Sequence, residues 1–149
     1  MFAKVVKEME SVRIYLAGGM SGLSLEEQMK WRNQFRQAVE FNYSPTKKPI
    51  YFSPPDYYSP ATNAHKSERE AMEFELSHLR KSDVIVVNFN VPQSIGTAME
   101  LMAAKENRIP IIGLRKDGVE LHPWLIECCT RICDNFKELV EHIVDFYLK

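Results

Sequence analysis

Glu100 has the most to offer chemically. The run Val84 to Phe89 is β-branched and apolar enough for a strand buried on both faces, a short polar loop follows it, and a helix opens near Ile95. Glu100 therefore falls in the first turns of a helix, just beyond the carboxyl end of a buried strand, the edge where open α/β sheets bind ligands. A helix N-terminus favours negative charge, so a carboxylate there can stay ionised and act as a nucleophile. The same place also suits an acidic residue that only complements the helix dipole. Tyr15 has a similar double character: a strand tyrosine usually fills core, yet near the strand's carboxyl end it could aim its hydroxyl at a carboxylate.

Two further groups of residues have chemical potential. Gly18-Gly19-Met20-Ser21-Gly22 leaves a strand and feeds a helix, so its backbone N–H groups could hold a phosphate or a sugar hydroxyl. It is neither Gly-x-Gly-x-x-Gly nor a Gly-Lys-Ser/Thr loop, and an ordinary strand-to-helix turn would also use glycine. Glu70, Glu73 and Glu75 lie together on a predicted helix whose carboxyl end leads into the strand before Glu100. A solvated helix face explains most such runs, but one of the three could approach the site. Cys128, Cys129 and Cys133 lack metal-ligand spacing, and an odd number argues against a disulfide framework; they read as buried or half-buried thiols without an activating base.

The elements that must position these residues follow from periodicity. Val12 to Ala17 reads as a strand. A helix starts after Ser24, which with Glu27 forms a capping box, and Trp31, Phe35, Ala38 and Val39 recur on one face. Asn42 to Pro49 is turn-rich, Ile50 to Phe52 is a short strand, and Ser53 to Asn63 is a Pro- and Tyr-rich loop too long for a simple turn. Helix Glu68 to Arg80, strand Val84 to Phe89, the Glu100 helix and strand Ile109 to Leu114 follow. Lys116-Asp117-Gly118 is a turn, Thr130 to Cys133 a short fifth strand, and Phe136 to Leu148 an amphipathic helix. Strands alternating with helices predict an α/β fold: one domain over residues 1–149, with a parallel sheet of the flavodoxin-like or Rossmann-like kind and helices on both faces.

Composition narrows the partners. The chain has 149 residues, a formal net charge of −1 and 45% hydrophobic content, enough for a core but with no basic stripe, so binding to a nucleic acid polymer is not expected. No apolar run approaches 18 residues, and Lys4, Lys7, Glu8 and Glu10 interrupt any leader-like pattern, so no membrane association is expected and the cytoplasm is the default location. No His/Cys/Asp cluster suggests a metal, and no cofactor is expected.

Read together, Arg-Ile-Tyr-Leu-Ala-Gly-Gly (13–19), Ser-Asp-Val-Ile-Val-Val (82–87) and Ser-Ile-Gly-Thr-Ala-Met-Glu-Leu-Met-Ala-Ala (94–104) resemble the nucleoside 2-deoxyribosyltransferase family. The similarity runs from Val12 to Leu114, and its most specific element is Gly-Thr-x-x-Glu-Leu-x-x-Ala after an Asp-Val-x-Val-Val strand. The resemblance implies Glu100 as the nucleophile that attacks the anomeric carbon of a deoxyribose, with Tyr15 orienting it. It implies Glu75 as the acid near the nucleobase, at a position where the family usually has aspartate. Gly18, Gly19, Ser21, Gly22, Ser94 and Gly96 become the substrate-binding candidates. Where the transferases typically carry an aspartate for the sugar hydroxyls this chain has Ser94, as the related nucleoside 5′-monophosphate N-glycosidases do. A hydroxyl can donate to a 5′-phosphate that a carboxylate would repel; Ser94 is equally suited to cap the Glu100 helix.

The implied reaction is cleavage of an N-glycosidic bond through a covalent glycosyl-Glu100 intermediate, followed by transfer to another nucleobase or to water. The implied partners are a small nucleoside or nucleotide and a free nucleobase. A homo-oligomer is also implied, because the family's C-terminal region often lends residues to a neighbouring subunit's site; from His122-Pro123-Trp124 onward this chain departs too far to assign them. The competing reading is a non-catalytic nucleotide-binding or sensing module on the same fold.

Overall fold

The computed structural model describes residues 9–58 and 65–149. Lys4, Lys7 and Glu8, and the Ser59–Asn63 part of the long loop, lie outside the described residues. Five strands, β1 (Ser11–Gly18), β2 (Lys48–Phe52), β3 (Val84–Asn88), β4 (Ile111–Leu114) and β5 (Arg131–Cys133), form one sheet in the order β2-β1-β3-β4-β5 with every pairing parallel. That order is the flavodoxin-like one, and it decides between the two doubly wound arrangements. Its topological switch point lies between β1 and β3, where the chain stops building toward β2 and starts building toward β5.

Five α-helices cover the sheet: α1 (Leu25–Asn42), α2 (Glu68–Arg80), α3 (Ile95–Glu106), α4 (Pro123–Cys128) and α5 (Phe136–Tyr147). Side chains alternate across each strand, so Ile14 and Leu16 of β1 and Val84 and Val86 of β3 face α1 and α5, packing on Trp31, Phe35, Val39, Leu139 and Ile143. Tyr15, Ala17, Ile85 and Val87 face the other layer, with Leu79 of α2, Leu101 and Ala104 of α3 and Leu125 of α4. Residues 14–17 are fully buried, which makes β1 the rigid centre on which the site is built.

The helices start where their caps dictate. Ser24, Ser67, Ser94 and Asn135 each accept the N–H of the residue three positions on, satisfying donors the first turn leaves unpaired. Several elements differ from the periodicity: β2 starts at Lys48, two residues before Ile50. β4 starts at Ile111 because Arg108 turns left-handed (φ 58°) and the Ile109 N–H returns to the Ala104 carbonyl at 3.0 Å, closing α3. Residues Pro54–Tyr57 of the long loop form a 3-10 helix. Helix α4 was not expected: Pro123 opens it and His122 Nδ1 accepts the Trp124 N–H at 3.1 Å, but six residues are too few to show a period. Among the described residues no helix is long and apolar enough to cross a membrane, and no group of three or more His, Cys, Asp or Glu could hold a metal ion.

Candidate active site

Tyr15 comes from β1 and Glu100 from α3, the helix that follows β3, so the two straddle the switch point at the carboxyl edge of the sheet. Tyr15 is fully buried, and its ring stacks on Phe52, its register partner on β2, at 5.1 Å between centroids. The Tyr15 hydroxyl and Glu100 Oε2 are both buried, and neither has a hydrogen-bond partner of regular geometry among the described residues. They nevertheless act on each other. Burial pushes the Glu100 carboxyl up to about 8, Glu75 adds to the rise, and the Tyr15 hydroxyl and the Arg32 guanidinium oppose it. Burial likewise pushes the Tyr15 hydroxyl well above the usual phenol range, with Glu100 and Glu75 adding to the effect.

Burial therefore acts against the ionised form that a helix N-terminus would favour. Glu100 is the sixth residue of α3, beyond the first turn where the dipole acts, and desolvation of a carboxylate outweighs what remains.

Of the three acids on α2, geometry separates one. Glu70 is bonded to its own helix start, accepting the Lys66 N–H at 2.7 Å while Ser67 caps the Glu70 N–H. Glu73 is exposed. Glu75 is half-buried and is the one whose charge acts on Glu100. Its carboxyl is raised by burial, against the Tyr58 hydroxyl, Arg32 and His65, which favour its ionised form. The Tyr58 hydroxyl is itself buried without a regular hydrogen bond. Beneath these groups lies an aromatic floor: Phe52 stacks on His78 at 4.3 Å and on Tyr57 at 5.2 Å, and Phe74 meets Tyr57 edge-on at 5.0 Å.

The glycine loop is held from several sides. Gly19 donates its N–H to Asn90 Oδ1 at 3.1 Å, and a side chain at Gly19 would collide with Val91, 2.5 Å from the Cβ position. At Gly18 the neighbours are Trp31 of α1 and the Asn88 carbonyl of β3, so close packing on α1 and β3 at Gly18, and on the β3–α3 loop at Gly19, accounts for glycine at both places without a ligand. Ser21 is exposed at the centre of a turn closed by the Leu23 N–H on the Met20 carbonyl, and Gly22 takes the positive φ of 81° that this turn needs. Gln28 Nε2 donates to the Met20 and Leu23 carbonyls. Ser94 Oγ accepts the Thr97 N–H at 3.3 Å and the Thr97 hydroxyl at 2.9 Å. Gly96 is exposed, and an added Cβ there would meet nothing within 4 Å, so the first turn of α3 is uncovered on that side.

Arg32, Tyr58 and Asn90 are the site residues that the sequence reading passed over. Arg32 is fully buried on α1, donating from Nε to the Leu16 carbonyl at 3.1 Å, from Nη1 to Gln28 at 2.5 Å and from Nη2 to Gly18 at 3.3 Å. Burial lowers its pKa to about 10, which still leaves it charged at neutral pH. The signal was present: Arg32 shares a helix face with Phe35 and Val39, and a charge on an apolar stripe has to be answered by something inside.

Two cavities lie beside α3, the larger of them lined in part by Ser94. A cavity of about 850 Å³ runs between α3 and α4, from Ser94 to Met102 and Leu121 to Leu125, and a smaller one of about 270 Å³ lies near Lys105 and Thr130. Neither is lined by Tyr15, Glu75 or Glu100. The three thiols are free, with Cys133 buried and Cys128 and Cys129 half-buried; burial raises all three, Cys129 to about 12, which leaves them poor nucleophiles.

A flavodoxin-like sheet with two coupled carboxyl groups and a buried tyrosine at its switch point defines a class of small-ligand α/β proteins. Within that class, residues 11–118 match the family described as nucleoside 2-deoxyribosyltransferase like, and the chain belongs to that family. No curated protein sequence matches it. Among solved structures it is similar to a conserved protein from Enterococcus faecalis V583 (TM-score 0.69, 17% identity, covering 89% of this chain and 97% of that one). It is also similar to a 2-deoxyribosyltransferase from Bacillus psychrosaccharolyticus (0.68, 16%, 87% and 90%) and to a CMP N-glycosidase from Clostridium botulinum (0.57, 20%, 91% and 99%). At these identities the likeness is one of fold.

Proposed function

We propose that this protein cleaves the N-glycosidic bond of 2′-deoxyribonucleosides or their 5′-monophosphates. The observation that carries the reading is the pair of buried, mutually coupled oxygens of Tyr15 and Glu100, with a second carboxyl at Glu75, beside an aromatic floor suited to a flat base. In the reactive form Glu100 has lost its proton and Glu75 has kept one. A Glu100 oxygen bonds to the anomeric carbon as the bond to the base nitrogen breaks. The bonding pair leaves with the base, which takes the Glu75 proton. A second base or water then attacks the anomeric carbon, gives its proton to Glu75 and frees Glu100. Tyr15 orients the carboxylate.

The outcome, transferase or hydrolase, depends on which acceptor wins, and relatives named for both activities share the fold. Ser94 and the uncovered first turn of α3 at Gly96 favour a 5′-phosphate, since a helix N-terminus and a hydroxyl both suit an anion. Gly18, Gly19, Ser21 and Gly22 form the rim of the same site. The protein acts in the cytoplasm as a homo-oligomer: Ile95, Met99 and Trp124 are more than half exposed along the α3–α4 groove, an apolar strip that a second copy would cover. Incubation with dCMP, dGMP, deoxyinosine and thymidine, with and without free adenine, and identification of every product tests the reading. A folded protein that binds these compounds and releases no base would instead be a nucleotide-binding module.

A further inference from the structure

We infer that Arg32 is a positioning residue for the reaction proposed above, holding in place the carboxyl end of β1, the strand that carries Tyr15, and adding a buried positive charge to the surroundings of Tyr15 and Glu100. The inference rests on that reading for its catalytic meaning; the hold on β1 is set by geometry, Arg32 donating to the carbonyls on either side of Ala17. Arg32 is fully buried on a stripe otherwise made of Trp31, Phe35 and Val39. Its guanidinium is hydrogen-bonded to three backbone carbonyls, those of Leu16, Gly18 and Gln28. Two of these flank Ala17, at the end of the strand that carries Tyr15, so the fork fixes the backbone from which the Tyr15 hydroxyl projects.

The three carbonyls take three of its five N–H groups and carry no net charge to set against its own. Among the described residues no carboxylate lies within 4.0 Å of Arg32, yet its field reaches Glu100, Tyr15, Asp56 and Glu75. An apolar residue would fill such a stripe with no desolvation penalty, and a lysine could not bridge three carbonyls in a plane. The arrangement therefore has a consequence for Glu100 that packing alone would not have: it opposes the effects of burial and of Glu75 on the carboxylate. The groups acting on Glu100 are then Tyr15 from β1, Glu75 from α2 and Arg32 from α1.

The test is a titration that needs no substrate. In protein labelled with ¹³C-glutamate, the Glu100 side-chain signal is assigned by its loss in Glu100→Gln and followed against pH. Arg32→Gln is expected to raise its midpoint, and Arg32→Lys, which keeps the charge, to raise it by clearly less. An unchanged midpoint in folded Arg32→Gln protein overturns the inference. Should Arg32→Gln not fold, the same coupling is read from the other side, because linkage is reciprocal. In Glu100→Gln the Arg32 ¹³Cζ signal is then expected to titrate below the wild-type midpoint near 10, and an unchanged midpoint there overturns the inference equally. Absence of glycosidic cleavage by the wild type would remove the proposed function and leave both titrations readable.

Discussion

Tyr15 and Glu100 bring two buried oxygens together across the switch point of the sheet, and each acts on the ionisation of the other. The hydroxyl draws the carboxyl toward its charged form, while the carboxylate makes the hydroxyl harder to ionise. Tyr15→Phe keeps the stacking on Phe52 and removes only this hydroxyl. Turnover is expected to fall about 10- to 100-fold. Stability should change by less than about 1 kcal/mol, because the hydroxyl has no regular hydrogen bond to lose. Kinetics with thermal melts checks both, and full activity in the variant would separate Tyr15 from the chemistry.

Glu100→Gln is expected to reduce cleavage by at least about 1,000-fold and, at neutral pH, to stabilise the fold. The folded protein keeps the Glu100 proton up to about pH 8, whereas the unfolded chain releases it near 4.5. Between those values the folded state binds more protons, so rising pH costs the wild type stability, and an uncharged amide removes that cost. The bound is about 3 kcal/mol at pH 7, shrinking to nothing below about pH 4. Denaturant melts of both proteins at pH 4 and pH 7 give the comparison; equal differences at the two values would mean that Glu100 is not desolvated as described.

Glu75 shapes the pH profile of the reaction. A reaction that needs Glu100 ionised and Glu75 protonated runs through the singly protonated pair, so kcat/KM should be bell-shaped, with an alkaline fall where the pair loses its last proton. In Glu75→Gln only Glu100 has to titrate. The alkaline fall should disappear, and the loss of rate should be larger for substrates whose bases leave poorly. The Glu100 midpoint should also drop, because one of the charges raising it is gone. An alkaline limb that persists unchanged in the variant would take the acid role away from Glu75, and Glu73→Ala serves as the exposed control.

The fold and the Glu100 position were legible because both rest on long, regular signals. β3 is an unbroken apolar run, α1 and α5 have clean periodicity, and Ser24 and Ser94 mark the starts of α1 and α3. What sequence could not supply was the environment of each group. Nothing in the order of residues says that Glu100 is buried deeply enough to hold its proton, because that depends on α1, α2 and β1 closing around it. Glu75 could not be told from Glu70 until Ser67 and Lys66 had claimed Glu70. Gly18 and Gly19 invited a ligand, whereas Val91, Trp31 and Asn88 fill the space a side chain would need. Helix α4 was illegible for a local reason, six residues being shorter than two turns.

Ser94 allows the capping role to be separated from the substrate role, since the two respond differently to the same pair of substitutions. Ser94 Oγ accepts the Thr97 N–H, so Ser94→Ala is expected to cost about 1 kcal/mol of stability and to lower activity toward every substrate in some proportion. Aspartate caps a helix as well as serine does and adds a charge that the dipole favours, so Ser94→Asp should fold as stably as the wild type. Its effect on substrate should instead follow charge. Beside a 5′-phosphate a carboxylate is repelled, costing on the order of a few kcal/mol in a half-buried place, whereas beside a neutral 5′-hydroxyl it accepts a hydrogen bond. Ser94→Asp is thus expected to depress kcat/KM for a deoxynucleoside 5′-monophosphate by at least about 100-fold relative to the matching nucleoside, without loss of Tm. Equal effects on the two substrates would confine Ser94 to its helix and make the nucleoside the better substrate class.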